Sequence, residues 1–171
     1  MQRERSPRVE MTESIAIVAA EKAARYRELL PQVHALVEGE PDLIANLANI
    51  VAALRECLPI ASWIGFYIMR GGELVLGPFQ GKVACVRIAV GRGVCGKAAA
   101  DKCTVIVRNV DDFPGHIACD AGSRSEIVVP ILRDGIVVGV LDVDSYELAA
   151  FDVVDSSGLW PIAKLVSTFA W

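Results

Sequence analysis

The chain has 171 residues, of which 53% are hydrophobic and 22% charged, with a formal net charge of −4 and a pI near 5.2. This composition is typical of one folded domain that can bury a core of its own, and it excludes a disordered chain. The acidic balance argues against a nucleic-acid partner, which would require a basic face. No stretch approaches the roughly 18 consecutive apolar residues that a membrane span needs, so no membrane partner is expected.

The first ten residues, MQRERSPRVE, carry charges of both signs and lack the hydrophobic core of a secretion signal. Their three arginines are compatible with mitochondrial targeting, but Glu4 and Glu10 oppose it. We therefore predict a flexible tail over residues 1–10, a single domain over residues 11–171, and a cytoplasmic location. Five cysteines are an odd number in such a chain, so a structural disulfide framework is not expected. Core filling, metal binding and redox chemistry remain open for them.

Two helices are predicted at the start of the domain. Residues 11 to about 37 are rich in Ala, Glu and Leu, which favour helix. After the break at residues 39–41, apolar residues recur at helical spacing from Leu43 to Leu58. Cys57, at the end of this second helix, is expected to fill space in the core.

The period of the sequence changes after Ile60. The segment IASWIGFYIM is dense in β-branched and aromatic residues, and Gly71-Gly72 separates it from GELVLGP, which predicts a hairpin. Further along, KVACVRIAV is predicted as a strand, GRGVCGKAAADK as a short helix and CTVIVRNV as another strand. A long loop without periodicity follows, from about residue 111 to 125. The strands EIVVPIL and GIVVGVLDVDS come next, joined by a turn at residues 133–135.

A last helix is predicted from near Phe151 to the C-terminus, with Asp152 or Asp155 as its cap. Pro161 lies inside it and is expected to kink or delay it. The order of helix, helix, hairpin-linked strands and helix predicts an α+β domain. It consists of an antiparallel sheet flanked by the N-terminal helices and the C-terminal helix.

Strand alternation places Trp63, Gly65 and Tyr67 on one face of the first strand. Two aromatic side chains that flank a glycine, about 13 Å apart, leave a gap where side-chain volume is missing. The gap fits either ordinary core packing beside a glycine or one wall of a ligand site.

Three carboxylates occur at strand positions. Asp142 and Asp144 share a face near the end of an apolar strand, and Glu126 opens the strand before it. Each can be explained by a strand that has reached solvent. If the three meet in one pocket, burial and repulsion raise at least one pKa and leave a carboxyl group that can donate a proton. Such a pocket would attract an α-ammonium group, and aromatic walls from Trp63 and Tyr67 would suit a small, partly apolar ligand such as an amino acid.

The cysteines suggest chemistry on that ligand. Cys95 lies at an apparent helix start, where free N–H groups and the helix dipole lower the pKa of a thiol. Cys85 is predicted in a strand, and Cys119 in the long loop, which could close over a pocket. Zinc bound by these cysteines and His116 is an alternative, but without a C-x-x-C pair their spacing is poor for zinc, and no metal is predicted. Cys103 is expected to be structural.

Taken together, these segments resemble the free methionine-(R)-sulfoxide reductase family, whose members are single GAF domains. The resemblance spans about residues 60 to 150. The three cysteine contexts, SEIVVP and LDVDS are specific, because a generic GAF sensor domain would lack them. The matching stretches are SWIGFYIM, GPFQGKVACVRIAVGRGVCGKAAA, NVDDFPGHIACDAGSRSEIVVPI and GVLDVDS.

The resemblance implies a GAF fold with its pocket between the sheet and covering loops, and reduction of free methionine (R)-sulfoxide to methionine. It makes Cys119 the attacking thiol, Cys85 its disulfide partner and Cys95 a further redox cysteine, with Glu126 as the most plausible proton donor. The positions expected to bind substrate are Trp63, Tyr67, Glu126, Asp142 and Asp144. Thioredoxin is the implied reductant, a homodimer is compatible, and no cofactor is required.

Two questions stay open at the level of sequence. Acids near a thiol raise its pKa, so Cys95 at a helix start is the better nucleophile on physical grounds, whereas the resemblance favours Cys119. The main alternative to an enzyme is a GAF domain that senses a small ligand and whose cysteines are redox switches or inert. A zinc-bearing interaction domain is the second alternative.

Overall fold

The computed structural model describes residues 15–117 and 119–171, so the predicted tail lies outside the described residues. The order of elements confirms the α+β class. The helices are α1 (Lys22–Val37), α2 (Leu43–Cys57), α3 (Gly93–Asp101) and α4 (Val153–Val166), with a short 3-10 helix at Val110–Asp112. The strands are β1 (Trp63–Arg70), β2 (Glu73–Gln80), β3 (Arg87–Ala89), β4 (Val105–Val107), β5 (Ser125–Arg133) and β6 (Ile136–Ser145).

The strands form a six-stranded antiparallel sheet in the order β3-β2-β1-β6-β5-β4. Both predicted hairpin turns are present. The turn between β1 and β2 uses Gly71 and Gly72, and that between β5 and β6 uses Asp134 and Gly135, with φ between +51° and +87° at all four residues. This left-handed backbone matches the twist of two-residue hairpins, so the turns help to fix the strand register.

The sheet has a hydrophobic layer on each face. Helices α1, α2 and α4 pack on one face, against inward side chains such as Phe66 of β1 and Leu141 of β6. Helix α3 packs on the other face with Trp63, Tyr67 and Val128. The predicted alternation along β1 is therefore confirmed, and the aromatic pair faces α3.

The predicted first helix is too long. Residues 15–20 are not helical, and α1 begins at Lys22. The backbone of residues 16, 18 and 19 instead bonds to side chains of α1: Gln32 bonds to both the N–H and the C=O of Ala16, and Glu28 accepts from Val18 and Ala19. Burial alternates along this segment as in an extended chain, because Ile15 and Ile17 pack against the core.

Two predicted strands are shorter in the structure, and Cys85 lies in the loop before β3 rather than in a strand. The carbonyl of Cys85 accepts a hydrogen bond from the Tyr67 hydroxyl at 3.0 Å, so a side chain takes the place of a strand partner. β3 is consequently reduced to three residues at the edge of the sheet.

Helix α4 is capped as predicted, because Asp152 and Asp155 form a reciprocal capping box. Pro161 does not delay it: the helix begins at Val153 and runs through the proline. Burial of Leu159 and Ile162 on either side of the proline offsets the lost backbone hydrogen bond. The helix also ends before the C-terminus, at Val166, where hydrogen bonds three residues apart replace the helical pattern.

Among the described residues, no helix has the length and apolar character that crossing a membrane requires.

Close packing between α1 and α4 gives a test of this arrangement. A Cβ atom at Gly158 would overlap the Tyr26 ring. Alanine favours helix over glycine by about 1 kcal/mol, but overpacking costs about 1–3 kcal/mol. We expect Gly158→Ala to lower the free energy of unfolding in urea, whereas Ser157→Ala, at the exposed neighbouring position, should change it by less than about 0.5 kcal/mol. An equally stable or more stable Gly158→Ala protein would contradict this packing.

Candidate active site

Strand register brings the three acids together on the α3 side of the sheet. Asp144 lies opposite Glu126 on β5 and opposite Trp63 on β1, and Asp142 lies opposite Gly65. All three carboxylates line one cavity, and the side chains of Glu126 and Asp142 are almost fully buried. The alternative that these strands simply reach solvent is wrong for Glu126 and Asp142.

Aromatic side chains form one wall of this cavity. The rings of Trp63 and Tyr67 are stacked with centroids 6.0 Å apart, and Phe79 of β2 stacks on the outer side of Trp63 at 5.4 Å. The gap expected at Gly65 is not empty, because the indole of Trp63 folds over it and a Cβ there would overlap the ring. Gly65 therefore makes room for Trp63 rather than for a ligand. The indole is fixed by a 3.0 Å hydrogen bond from its N–H to the carbonyl of Lys82.

Cys95 forms part of the cavity floor, in the first turn of α3. Its thiol is buried and donates to Oδ2 of Asp142 at 3.2 Å. Burial, followed by the charge of Asp142, raises the pKa of Cys95 well above its ordinary value. The expectation of a lowered pKa is therefore wrong, because loss of water outweighs the field of the helix terminus.

Burial also dominates the acids. It raises the pKa values of Glu126, Asp142 and Asp144 well above those of free carboxylic acids, and each is raised further by a neighbouring carboxylate. Oδ1 of Asp142 is buried and has no hydrogen-bond partner among the described residues. The acids of the cavity therefore keep their protons at pH values at which water-exposed acids are ionised. Oδ1 of Asp142 can accept a hydrogen bond from a ligand.

A disulfide joins Cys85 to Cys119, with Cα atoms 5.6 Å apart. It connects the loop before β3 to the long loop before β5, which lies across the mouth of the cavity. Cys119 is exposed and Cys85 is half-buried. The other cysteines lie apart from this pair: Cys57 is buried in the core, as expected, and Cys103 is exposed.

His116 is the site residue whose position the sequence did not indicate, since it was considered only as a zinc ligand. It lines the cavity, and its Nε2 lies 3.5 Å from Oε2 of Glu126. Burial lowers the pKa of His116, which favours the neutral imidazole. Its place two residues after Pro114, in a loop without period, gave no face or register from which this contact could be predicted.

Over residues 15–117 and 119–171, the side chains that could hold a cation together are those of Cys95, Glu126 and Asp142, each with one ligand atom within 4.8 Å of the others. This differs from the alternative weighed from the sequence, in which Cys85 and Cys119 were zinc ligands. Those two sulfurs are bonded to each other here.

Comparison with known proteins agrees with this geometry. Residues 31–169 match the GAF domain family model. The chain is 49% identical to the free methionine-R-sulfoxide reductase of Escherichia coli, covering 81% of this chain and 84% of that protein. It is 45% identical to the Saccharomyces cerevisiae protein of the same name, covering 82% of both. The crystal structure of free methionine-R-sulfoxide reductase from Neisseria meningitidis, in complex with its substrate, has a TM-score of 0.88 and 50% identity over 91% of this chain and 94% of that one.

The chain belongs to the free methionine-R-sulfoxide reductase family of GAF domains. The family predicted from the cysteine contexts and the acidic strand ends is therefore confirmed. Membership of the free methionine-R-sulfoxide reductases also explains why a GAF pocket here contains thiols beside carboxylates.

The raised pKa values of the acids make a prediction about stability. Between the pKa of the unfolded acids, near 4, and their higher values in the folded protein, the folded state binds more protons, so the free energy of unfolding falls as pH rises. The limit is about 1.4 kcal/mol per pH unit for each group. We expect Asp142→Asn to reduce this fall between pH 5 and 8, measured by urea unfolding of the oxidised protein.

The matched control is Glu56→Gln, at an exposed position on α2, which should retain the wild-type slope. An Asp142→Asn protein whose stability falls as steeply as that of wild type would show that Asp142 already ionises freely in the folded state.

Proposed function

We propose that the protein reduces free L-methionine (R)-S-oxide to L-methionine through a cysteine sulfenic acid and an intramolecular disulfide. The observation that carries the proposal is the placement of the Cys85–Cys119 disulfide at the mouth of a cavity lined by two aromatic rings and three acids, of which Glu126 and Asp142 are buried. The relatives named above are methionine-R-sulfoxide reductases, and one was crystallised with its substrate.

The cavity suits a free amino acid. Its acids, including the unpaired Oδ1 of Asp142, would bind the α-ammonium group of the substrate. Trp63 and Tyr67 would contact the apolar part of the side chain. A methionine residue within a protein has no ammonium group at its Cα, so this recognition favours the free amino acid. A sensor that only binds such a ligand, with the disulfide as a redox switch, is the alternative, but the relatives named above are reductases.

In the proposed reaction, the thiolate of Cys119 attacks the sulfoxide sulfur and Glu126 supplies a proton to the oxygen. Two electrons pass from the Cys119 sulfur to the substrate, methionine leaves, and the oxygen remains on Cys119 as a sulfenic acid. The raised pKa of Glu126 supports its role as the acid, since it keeps the carboxyl group protonated. His116, 3.5 Å from Glu126, can exchange that proton with solvent.

The sulfenic acid is then converted to the disulfide. The Cys85 thiol attacks the Cys119 sulfur, the S–O bond breaks, and the oxygen leaves as water. We propose that thioredoxin reduces the disulfide by exchange, which returns both thiols. The exposure of Cys119 supports access for a protein dithiol, and exposed Val83 and Val86 on either side of Cys85 give it apolar surface to contact.

The geometry supports Cys119 rather than Cys95 as the nucleophile. Cys95 is held as a buried thiol by Asp142, whereas Cys119 lies on an exposed loop. Cys95 keeps the role of a further redox cysteine that the resemblance implies, and its thiol is also a hydrogen-bond donor that orients Asp142.

Two further proposals concern the setting of the enzyme. A cytoplasmic location suits a cycle that depends on free thiols and a thiol reductant. A homodimer is supported by the exposed apolar side chains of Val153 and Trp160 on α4. Sedimentation equilibrium separates the 18.4 kDa monomer from a species of twice that mass.

The test of the activity is methionine release from free methionine-R-sulfoxide. Reduced protein alone should release about one equivalent and stop at the disulfide, and thioredoxin with its reductase should extend release to many turnovers. The S epimer is the control and should give little methionine. No release from either epimer, with the thiols shown to be free, would favour the sensor.

Single cysteine variants separate the two chemical steps. Cys119→Ser should abolish methionine release, because no sulfur remains to accept the oxygen. Cys85→Ser should release about one equivalent and then stall as a sulfenic acid that a dimedone probe captures. Cys103→Ser, which changes an exposed cysteine away from the cavity, is the matched control and should turn over normally. Normal turnover by Cys119→Ser would remove Cys119 as the nucleophile.

A further inference from the structure

Three side chains join the segments that surround the disulfide. Asp120, next to Cys119, accepts a 2.7 Å hydrogen bond from the hydroxyl of Tyr146, just beyond β6. The ammonium group of Lys82, in the loop that contains Cys85, lies 3.2 Å from Oδ2 of Asp120. The same ammonium lies 5.1 Å from the centre of the Tyr146 ring. We call Lys82, Asp120 and Tyr146 the loop clasp.

The clasp is better organised than an ordinary surface ion pair. Oδ1 of Asp120 also accepts the N–H of Gly122 at 2.9 Å, and its side chain is only 17% exposed. That N–H and then the Tyr146 hydroxyl lower the pKa of Asp120, so the carboxylate is charged at neutral pH. Gly122 packs on the Tyr146 ring, where a Cβ would lie 3.0 Å from a ring carbon. The Asp120 carboxylate therefore bonds to its own turn at Gly122, to the loop of Lys82 and to Tyr146.

The loop that contains Lys82 and Cys85 is hydrogen-bonded to the aromatic wall of the cavity. The carbonyl of Lys82 receives the indole N–H of Trp63, and the carbonyl of Cys85 receives the hydroxyl of Tyr67. The loop that contains Cys85 is thus fixed to the rigid strand β1. Within the loop clasp, the ion pair between Lys82 and Asp120 joins that loop to the residue next to Cys119.

We propose that Asp120 is a positioning residue for the disulfide-forming step, in which it holds the oxidised Cys119 within reach of Cys85. The proposal rests on the proposed function for the source of the sulfenic acid. In this step the Cys85 thiol attacks the Cys119 sulfur, the S–O bond breaks, and hydroxide leaves and takes up the thiol proton as water. Its rate depends on how often the two sulfurs meet, which a loop fastened at the adjacent residue increases.

The test measures formation of the disulfide directly. Reduced protein is oxidised with hydrogen peroxide, which makes the same sulfenic acid without methionine sulfoxide, and the remaining thiols and the sulfenic acid are quantified by mass spectrometry after quenching with dimedone. We expect Asp120→Asn to form the Cys85–Cys119 disulfide about 5- to 30-fold more slowly than wild type, which corresponds to a loss of about 1–2 kcal/mol. The sulfenic acid should accumulate in proportion.

Two further variants separate the clasp from general damage to the loop. Tyr146→Phe removes only the hydroxyl donor and should slow the step less than Asp120→Asn. Asp101→Asn breaks the 2.7 Å ion pair with Lys97 on the far end of α3 and should leave the step unchanged. Wild-type disulfide formation in Asp120→Asn, or equal slowing in Asp101→Asn, would overturn the proposal.

The use of peroxide keeps this test independent of the proposed activity. If wild type forms the disulfide with peroxide but releases no methionine from the sulfoxide, the proposed function fails while the role of Asp120 is still measured.

Discussion

The meeting of three carboxylates in one cavity, two of them almost fully buried, is the constraint on which the rest of the structure depends. Glu126 and Asp142 are about 95% excluded from water, at 5% and 6% exposure, and Asp144 adjoins both. Unpaired burial of such charges would cost several kcal/mol each, so the cluster is tolerated only with protons, hydrogen-bond donors or a bound cation. Within the described residues it has the thiol of Cys95 as a donor, and one oxygen of Asp142 has none. A ligand with an ammonium group would satisfy that oxygen, so the same buried acids that burden the fold can serve substrate binding.

Strand register turns this constraint into a specific fold. A slip of one residue between β5 and β6 would move Glu126 or Asp142 to the face that packs against α1, α2 and α4. The tight turn at Asp134-Gly135 and the large apolar layer on that face, which includes Leu141 and Val143 of β6, oppose such a slip. The apolar layer that packs against α1, α2 and α4 thus determines where the acids point, although it lies on the opposite face of the sheet from the cavity.

The sequence predicted these features where local periodicity determines them. Alternation was sufficient to place Trp63 with Tyr67 on one face of β1, and Asp142 with Asp144 on one face of β6. That these faces meet with Glu126 in one cavity depends on the register between strands. Prediction failed where tertiary contacts override a local preference. Residues 15–20 are extended because Glu28 and Gln32 bond to their backbone, and Cys85 leaves the strand because Tyr67 binds its carbonyl. Of the two interpretations of Gly65, the structure favours packing beside the glycine, a choice that depends on the orientation of the Trp63 indole, which has no sequence signal. The position of His116 could not be predicted, because it lies in a loop without periodicity.

The same burial explains the division of roles among the thiols. A helix start lowers the pKa of an exposed thiol. At Cys95, burial and the neighbouring acids both raise the thiol pKa, and they outweigh the effect of the helix. A thiolate on the cavity floor would place a further buried negative charge beside the acids. In the proposed mechanism the attacking thiol is instead that of Cys119, on an exposed loop that lines the cavity, so no thiolate is required beside the buried acids. We propose that Asp120 holds this loop, since its polar contacts are to Lys82, Tyr146 and Gly122 rather than to Glu126 or Asp142, and its charge is therefore balanced outside the pair of buried acids.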